Sequence, residues 1–111
     1  MIARVWSGAA SAANAGAYVA HLHAHVFPEL TRIAGHRGAY VLRRPAAAGV
    51  AFTVITLWES IDAIRAFAGD DAEAAVVPAG ARALLSSWDE RAVHWEVALA
   101  TLDNPGAAGA K

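Results

Sequence analysis

LWESIDAIRAFAGDD, residues 57–71, joins the end of an apolar strand to an amphipathic helix through a Trp-Glu-Ser corner. The Ser60 hydroxyl is the kind of group that accepts from the free amides of a first helical turn, so a helix is expected over residues 61–68. Gly69 ends it, because glycine enters the left-handed backbone region that closes a helix at little cost. Ile64 and Phe67 then share the inward face. Upstream, residues 50–59 (VAFTVITLWE) form a nearly continuous apolar run, and residues 36–44 (HRGAYVLRR) precede them across a Pro/Gly-bounded connection at 45–49. The two runs read as an antiparallel hairpin with a five-residue loop.

Residues 2–6 (IARVW) alternate and are rich in large and β-branched side chains, which predicts a strand ended by Gly8. Ser11 is placed to cap a helix over residues 12–27. On a wheel of about 100° per residue, Ala15, Tyr18, Val19, Leu22, Val26, Leu30 and Ile33 make one apolar stripe, suited to lie on a sheet. Pro28 removes an amide donor and predicts a kink or restart before residues 29–33. Downstream, residues 72–77 and 81–87 read as short helical pieces around Pro78 and Gly80, and residues 91–100 (RAVHWEVALA) as the last strand. Residues 1–101 are expected to form the folded unit and residues 102–111 a flexible tail, since the latter have little to bury.

The resulting order, β-α-β-β-α-β, is that of a ferredoxin-like α+β domain with an antiparallel sheet. The strand over residues 50–59 is apolar on both faces, whereas helices in a chain of 111 residues can cover only one. The other face calls for a second copy of the chain, hence a homodimer through the sheet face. The net charge of −1, with both signs scattered, leaves no basic stripe for nucleic acid. Alanine dominates the apolar fraction of 57%, and no stretch approaches a membrane span. The absence of cysteine excludes thiolate catalysis and cysteine-based metal sites. No signal-peptide pattern opens the chain, so a cytoplasmic location is expected.

Three groups of residues carry candidate chemistry. His21, His23 and His25 lie on one helix, where an i, i+4 imidazole pair can share a metal, but the HExxH pattern of a zinc protease is missing and no metal site is expected. His94 and Glu96 share one face of the last strand while Trp95 takes the other, and a histidine held in one tautomer can act as a base. Trp6, Trp58, Trp88 and Trp95 all border the sheet, which suits a cleft for a flat apolar ligand. The pocket expected between helices and sheet is lined by Tyr18, His21, Leu22, Ile64, Phe67 and Trp88. No Gly-rich phosphate loop or nucleophile elbow is present, so no nucleotide or flavin cofactor is expected.

The WES corner, the IRAFAG helix and the VHWEV strand make the chain resemble the antibiotic-biosynthesis-monooxygenase family, whose ferredoxin-like domains pair into a dimeric α+β barrel. The resemblance implies one of three outcomes. The haem-degrading branch carries a strand Asn, a helix Trp and a His ligand, and the last two positions are Phe67 and Val77 here. The polyketide branch oxidises aromatic phenols or quinols without a cofactor. Trp58 matches its pocket Trp, while Val54 and Ile64 stand in place of its Asn and Tyr. The expectation is a cofactor-independent monooxygenase for a small aromatic, polyketide-phenol or quinol-like substrate, with Trp58 positioning it and His25 or His94 as base. The third outcome, the alternative, is a non-catalytic dimeric barrel that is stress-related or binds a small apolar or aromatic molecule.

Overall fold

A computed structural model describes residues 1–101. The tail expected over residues 102–111 lies outside the described residues. The elements run β1 (Ile2–Ala10), α1 (Ala12–His21), a π-helical turn (Leu22–Val26), α2 (Phe27–Leu30), β2 (His36–Ala46), β3 (Gly49–Trp58), α3 (Ile61–Ala68), α4 (Ala79–Arg82), β4 (Leu85–Trp88) and β5 (Val93–Glu96). The antiparallel sheet has the order β2-β3-β1-β4, with β5 continuing the β4 edge against the start of β1. This is the expected ferredoxin-like α+β architecture, with its last strand broken in two.

Register sets the two faces. Ile2 pairs with Trp58 and with Glu96, so the even positions of β1, β3 and β5 face the helices and the odd positions face away. Phe52, Thr56 and Trp58 are accordingly buried on the helix face. Tyr40, Ile55, Val5 and Val93 form one row across four strands of the opposite face. Tyr40, Leu42, Val93 and Trp95 on that face are between 49% and 62% exposed.

The helix boundaries follow the predicted caps. Ser11 accepts from the Asn14 amide and Ser60 from the Ala63 amide, and Gly69 takes a φ of 89°. Between α1 and α2 the restart required by Pro28 takes the form of the π turn, in which the Phe27 amide reaches back to the Leu22 carbonyl. The extra residue lets the helix move past the ring of Pro28 without a clash against the preceding turn.

Four local expectations are corrected. β1 does not stop at Gly8 but runs to Ala10, and Gly8 pairs with both Phe52 and Trp88. It is glycine because an added Cβ would lie 2.9 Å from the Trp6 ring and 3.1 Å from the Ser87 carbonyl. The hairpin loop is not five residues: β2 and β3 stay paired from Pro45 and Val50 to Ala46 and Gly49, leaving only residues 47 and 48 to turn. Pro45 is tolerated because β2 is an edge strand with no ladder to feed on its outer side. Residues 72–77 are not helical but pass beside the last strand, bridged by Ala74 and Arg91. Residues 85–88, expected to end a helix, are β4, drawn into the sheet by pairing with Ala10, Ala9 and Gly8.

The core has two centres. Tyr18, Leu22, Phe52, Val77, Ala81 and Leu85 surround one. Leu30, Trp58, Ile64 and Ala72 form the other, and Val26 and Phe27 of the helical restart pack against both.

Candidate functional site

Where the two core centres meet, the helix face of the sheet is not fully filled. A cavity of about 60 Å³ remains, walled by Tyr18 and Leu22 of α1 and its π turn, Val26, Phe27 and Leu30, the strand residues Arg4, Trp6, Val54 and Thr56, Phe67 of α3, and the 76–78 segment with Ala81. That volume is several times the ~10–15 Å³ needed by one water. The wall is apolar except for the Arg4 guanidinium and the hydroxyls of Thr56 and Tyr18. Burial pushes the Tyr18 phenol up to about 12, so it stands in the cavity as a neutral hydroxyl at physiological pH.

Of the residues singled out in the sequence, Tyr18, Leu22 and Phe67 line this cavity. Trp58 lies one layer behind it and is fully buried. Its indole N–H donates to Thr56 Oγ1 at 2.8 Å, and its ring stacks on Phe67 at 5.9 Å and meets His36 edge-on at 5.0 Å. Trp58 therefore sets the orientation of two wall residues. Ile64 is buried beneath α3 in the same core centre. Trp88 packs at the far end of the sheet, with the Arg82 guanidinium 5.8 Å over its ring. Trp6 is in the wall, its N–H held by the Asp89 carbonyl at 2.7 Å. Trp95 faces the opposite side of the sheet, so the four tryptophans do not share one cleft.

The histidines divide in a similar way. His25 is exposed on the π turn with its ring 5.4 Å from that of His21, and His21 is half-buried against Gly80 with its Nε2 unpartnered. Among the described residues no group of three His, Asp or Glu side chains is arranged to hold a metal ion. His94 sits on the helix face of β5, where register pairs it with Arg4, and its Nε2 lies 3.1 Å from Arg4 Nη1. Burial, then the neighbouring Arg4 charge, lowers the His94 pKa, with Glu73 opposing, so the imidazole is neutral and accepts from the guanidinium.

Arg4 is the site residue that the sequence reading passed over. It is 4% exposed, donates through Nη1 to the Ala72 carbonyl and through Nη2 to the Ala74 carbonyl at 2.6 Å, and stands 5.7 Å over the Phe67 ring. Its signal was positional: in IARVW it has the same parity as Ile2 and Trp6, so a charge had to enter the covered face.

No protein-family model matches the chain, and no curated protein matches it by sequence. Solved structures match over nearly its whole length. A candidate antibiotic biosynthesis monooxygenase from Bacillus cereus superposes with a TM-score of 0.64 at 13% identity, covering 94% of this chain and 97% of its own. The chain has the fold of the antibiotic biosynthesis monooxygenases. A point mutant of MhuD, solved with two manganese protoporphyrin IX molecules per active site, matches with a TM-score of 0.62 at 20% identity over 93% of this chain and 100% of that one. The ActVA-Orf6 monooxygenase of Streptomyces coelicolor, bound to nanaomycin D, matches at 0.58 and 18% identity over 93% and 92%. A haem does not fit the donor set here. The cavity wall offers no imidazole, and Phe67 and Val77 both line it with hydrocarbon.

Proposed function

We propose that the protein is a cytoplasmic, cofactor-independent monooxygenase for a small phenolic or quinol-like aromatic, working as a homodimer. The observation that carries this reading is the small apolar cavity on the helix face, floored by one buried cation and two hydroxyls. Such a site holds a flat ring away from water and leaves its oxygen atom one polar place to go. An electron-rich phenolate or carbanion can itself reduce oxygen once deprotonated. One oxygen atom ends in the product and the other leaves as water, with the electrons supplied by the substrate. Phe67 contributes a face to the ring, and Trp58 acts through Phe67 and Thr56 as a positioning residue. Of the two candidate bases, His94 is the one in contact with the wall, through Arg4, while His25 faces solvent.

The opposite face supports the homodimer. Tyr40, Ile55, Val5 and Val93 make an apolar row with Leu42, Leu57 and Trp95 beside it, and a second sheet set against this row supplies the cover that helices do not.

Oxygen uptake by metal-free protein with anthrones, naphthoquinols and benzoquinols tests the reading. Uptake lost in His94→Ala and kept in His25→Ala is the expected result. Saturable binding with no uptake above background instead supports a non-catalytic small-molecule-binding barrel. A specific feature favours that second reading: His94 Nε2, the basic nitrogen, is already engaged by Arg4.

A further inference from the structure

The guanidinium of Arg4 is buried, and among the described residues no carboxylate pairs with it. Every ion pair among the described residues lies on the surface: Arg32 with Glu29, Arg37 with Glu59, Arg65 with Asp62, and Arg91 with Asp71 and Glu73. Asp71 and Glu73 are the acids whose fields reach Arg4, but both bond directly to Arg91, at 2.9 and 3.3 Å. Among the described residues the groups that bond to Arg4 are all neutral, namely two backbone carbonyls and the His94 imidazole. Burying a charge against neutral partners is unfavourable for folding, so such a residue is placed more naturally for a ligand than for stability.

The donor count points the same way. A guanidinium has five N–H groups. Nη1 engages Ala72 and His94 and Nη2 engages Ala74, which leaves Nε–H and one Nη2–H. These nitrogens are neighbours on one edge of the guanidinium, the fork that a carboxylate or a phenolate oxygen accepts from. Arg4 is a wall residue of a cavity that is otherwise hydrocarbon and two hydroxyls, so an anionic oxygen has one favourable position in it.

We infer that Arg4 is an anion-binding residue that selects aromatic ligands carrying an anionic oxygen, a carboxylate or a phenolate, at the strand end of the cavity. His94 is its positioning residue: by accepting from Nη1 it fixes the plane of the fork without neutralising its charge. The inference rests on the cavity being the ligand site, as proposed above, and not on turnover.

The test is calorimetric titration of benzoate and 2-naphthoate, each beside its amide, which has nearly the same shape without the charge. Wild-type protein is expected to bind at least one carboxylate about tenfold more tightly than its amide, the worth of one charge-assisted hydrogen bond. Arg4→Gln is expected to abolish that preference, bringing acid and amide to equal affinity, with melting curves run beside it to establish that the variant folds. Arg4→Lys is expected to retain part of the preference, since it keeps charge but not the fork. His94→Ala is expected to weaken carboxylate binding more than amide binding, narrowing the preference.

Equal affinity of acid and amide for wild-type protein would overturn the role of Arg4 and leave the cavity as a ligand site. Binding of neither at the cavity would overturn both. If Arg4→Gln fails to fold, the wild-type comparison together with Arg4→Lys still decides the matter.

Discussion

At the scale of single residues, Trp58 and His94 make contrasting contributions. Trp58 is fully buried, with its one polar atom satisfied by Thr56, so its truncation leaves a large void in a core that cannot close over it. Trp58→Ala is expected to cost about 3–5 kcal/mol in denaturant unfolding. Trp58→Phe should retain most of the fold while releasing Thr56, so a large loss of ligand affinity with a small loss of stability would separate positioning from packing. His94 and His36 both have pKa values lowered by burial, His94 further by Arg4. Their unfolded values stand near 6.5, so the unfolded chain binds more protons than the native one just below that pH. Stability is therefore expected to be full above about pH 6.5 and to fall as the pH drops toward the folded values. In His94→Gln that fall should shrink, which melting curves collected across pH 5–8 would show. Trp58 could be read from the corner it occupies, whereas Arg4 was hidden by its context. A charge within a short strand usually marks the wet face, and only the register with β3 and β5 places it among Phe67, Thr56 and His94.

Elements with strong local signals were legible, and those made by distant pairing were not. Helix α3 begins and ends where Ser60 and Gly69 predict, because both caps act within one turn. The restart at Pro28 was equally local, but its π form depended on how the next turn packs against two core centres. β4 was missed because Leu85, Ser86, Ser87 and Trp88 carry no strand alternation of their own, and it is the exposed edge of β1 that holds them extended. The tight hairpin was missed because Ala46, Ala47 and Ala48 lack a turn signature. The compensating residue is Gly49, with a φ of 146° and the site of an absent Cβ on top of the Ala10 carbonyl. Gly49→Ala is expected to cost about 1–3 kcal/mol from backbone strain alone, with the clash against β1 added to it. The same change at Gly38, also at positive φ but with open space around it, should cost less, as paired thermal melts would show.

On the scale of the whole molecule, the sheet has a helix-covered face that contains the cavity and an apolar face left open. The apolarity of residues 50–58 made the second face legible as something to be covered, but no sequence pattern reports the angle at which a second sheet would lie on it. Ile55→Lys places a charge at the centre of the Tyr40-Ile55-Val5-Val93 row. Under the proposed homodimer it is expected to shift the protein to monomer in sedimentation velocity, whereas Arg43→Glu, on the helix-side parity of β2, should not. The place of β1 in the sheet also ties the start of the chain to its far end. β1 is the first strand made, yet Arg4 finds its partners 68, 70 and 90 residues later in the chain. A nascent chain lacking the residues beyond 71 has neither the carbonyls that hold the guanidinium nor the 76–78 segment and Ala81 that close the cavity wall. Ligand capture thus waits on contacts of long sequence separation, and the entropy of closing such loops slows folding relative to a chain built from local contacts.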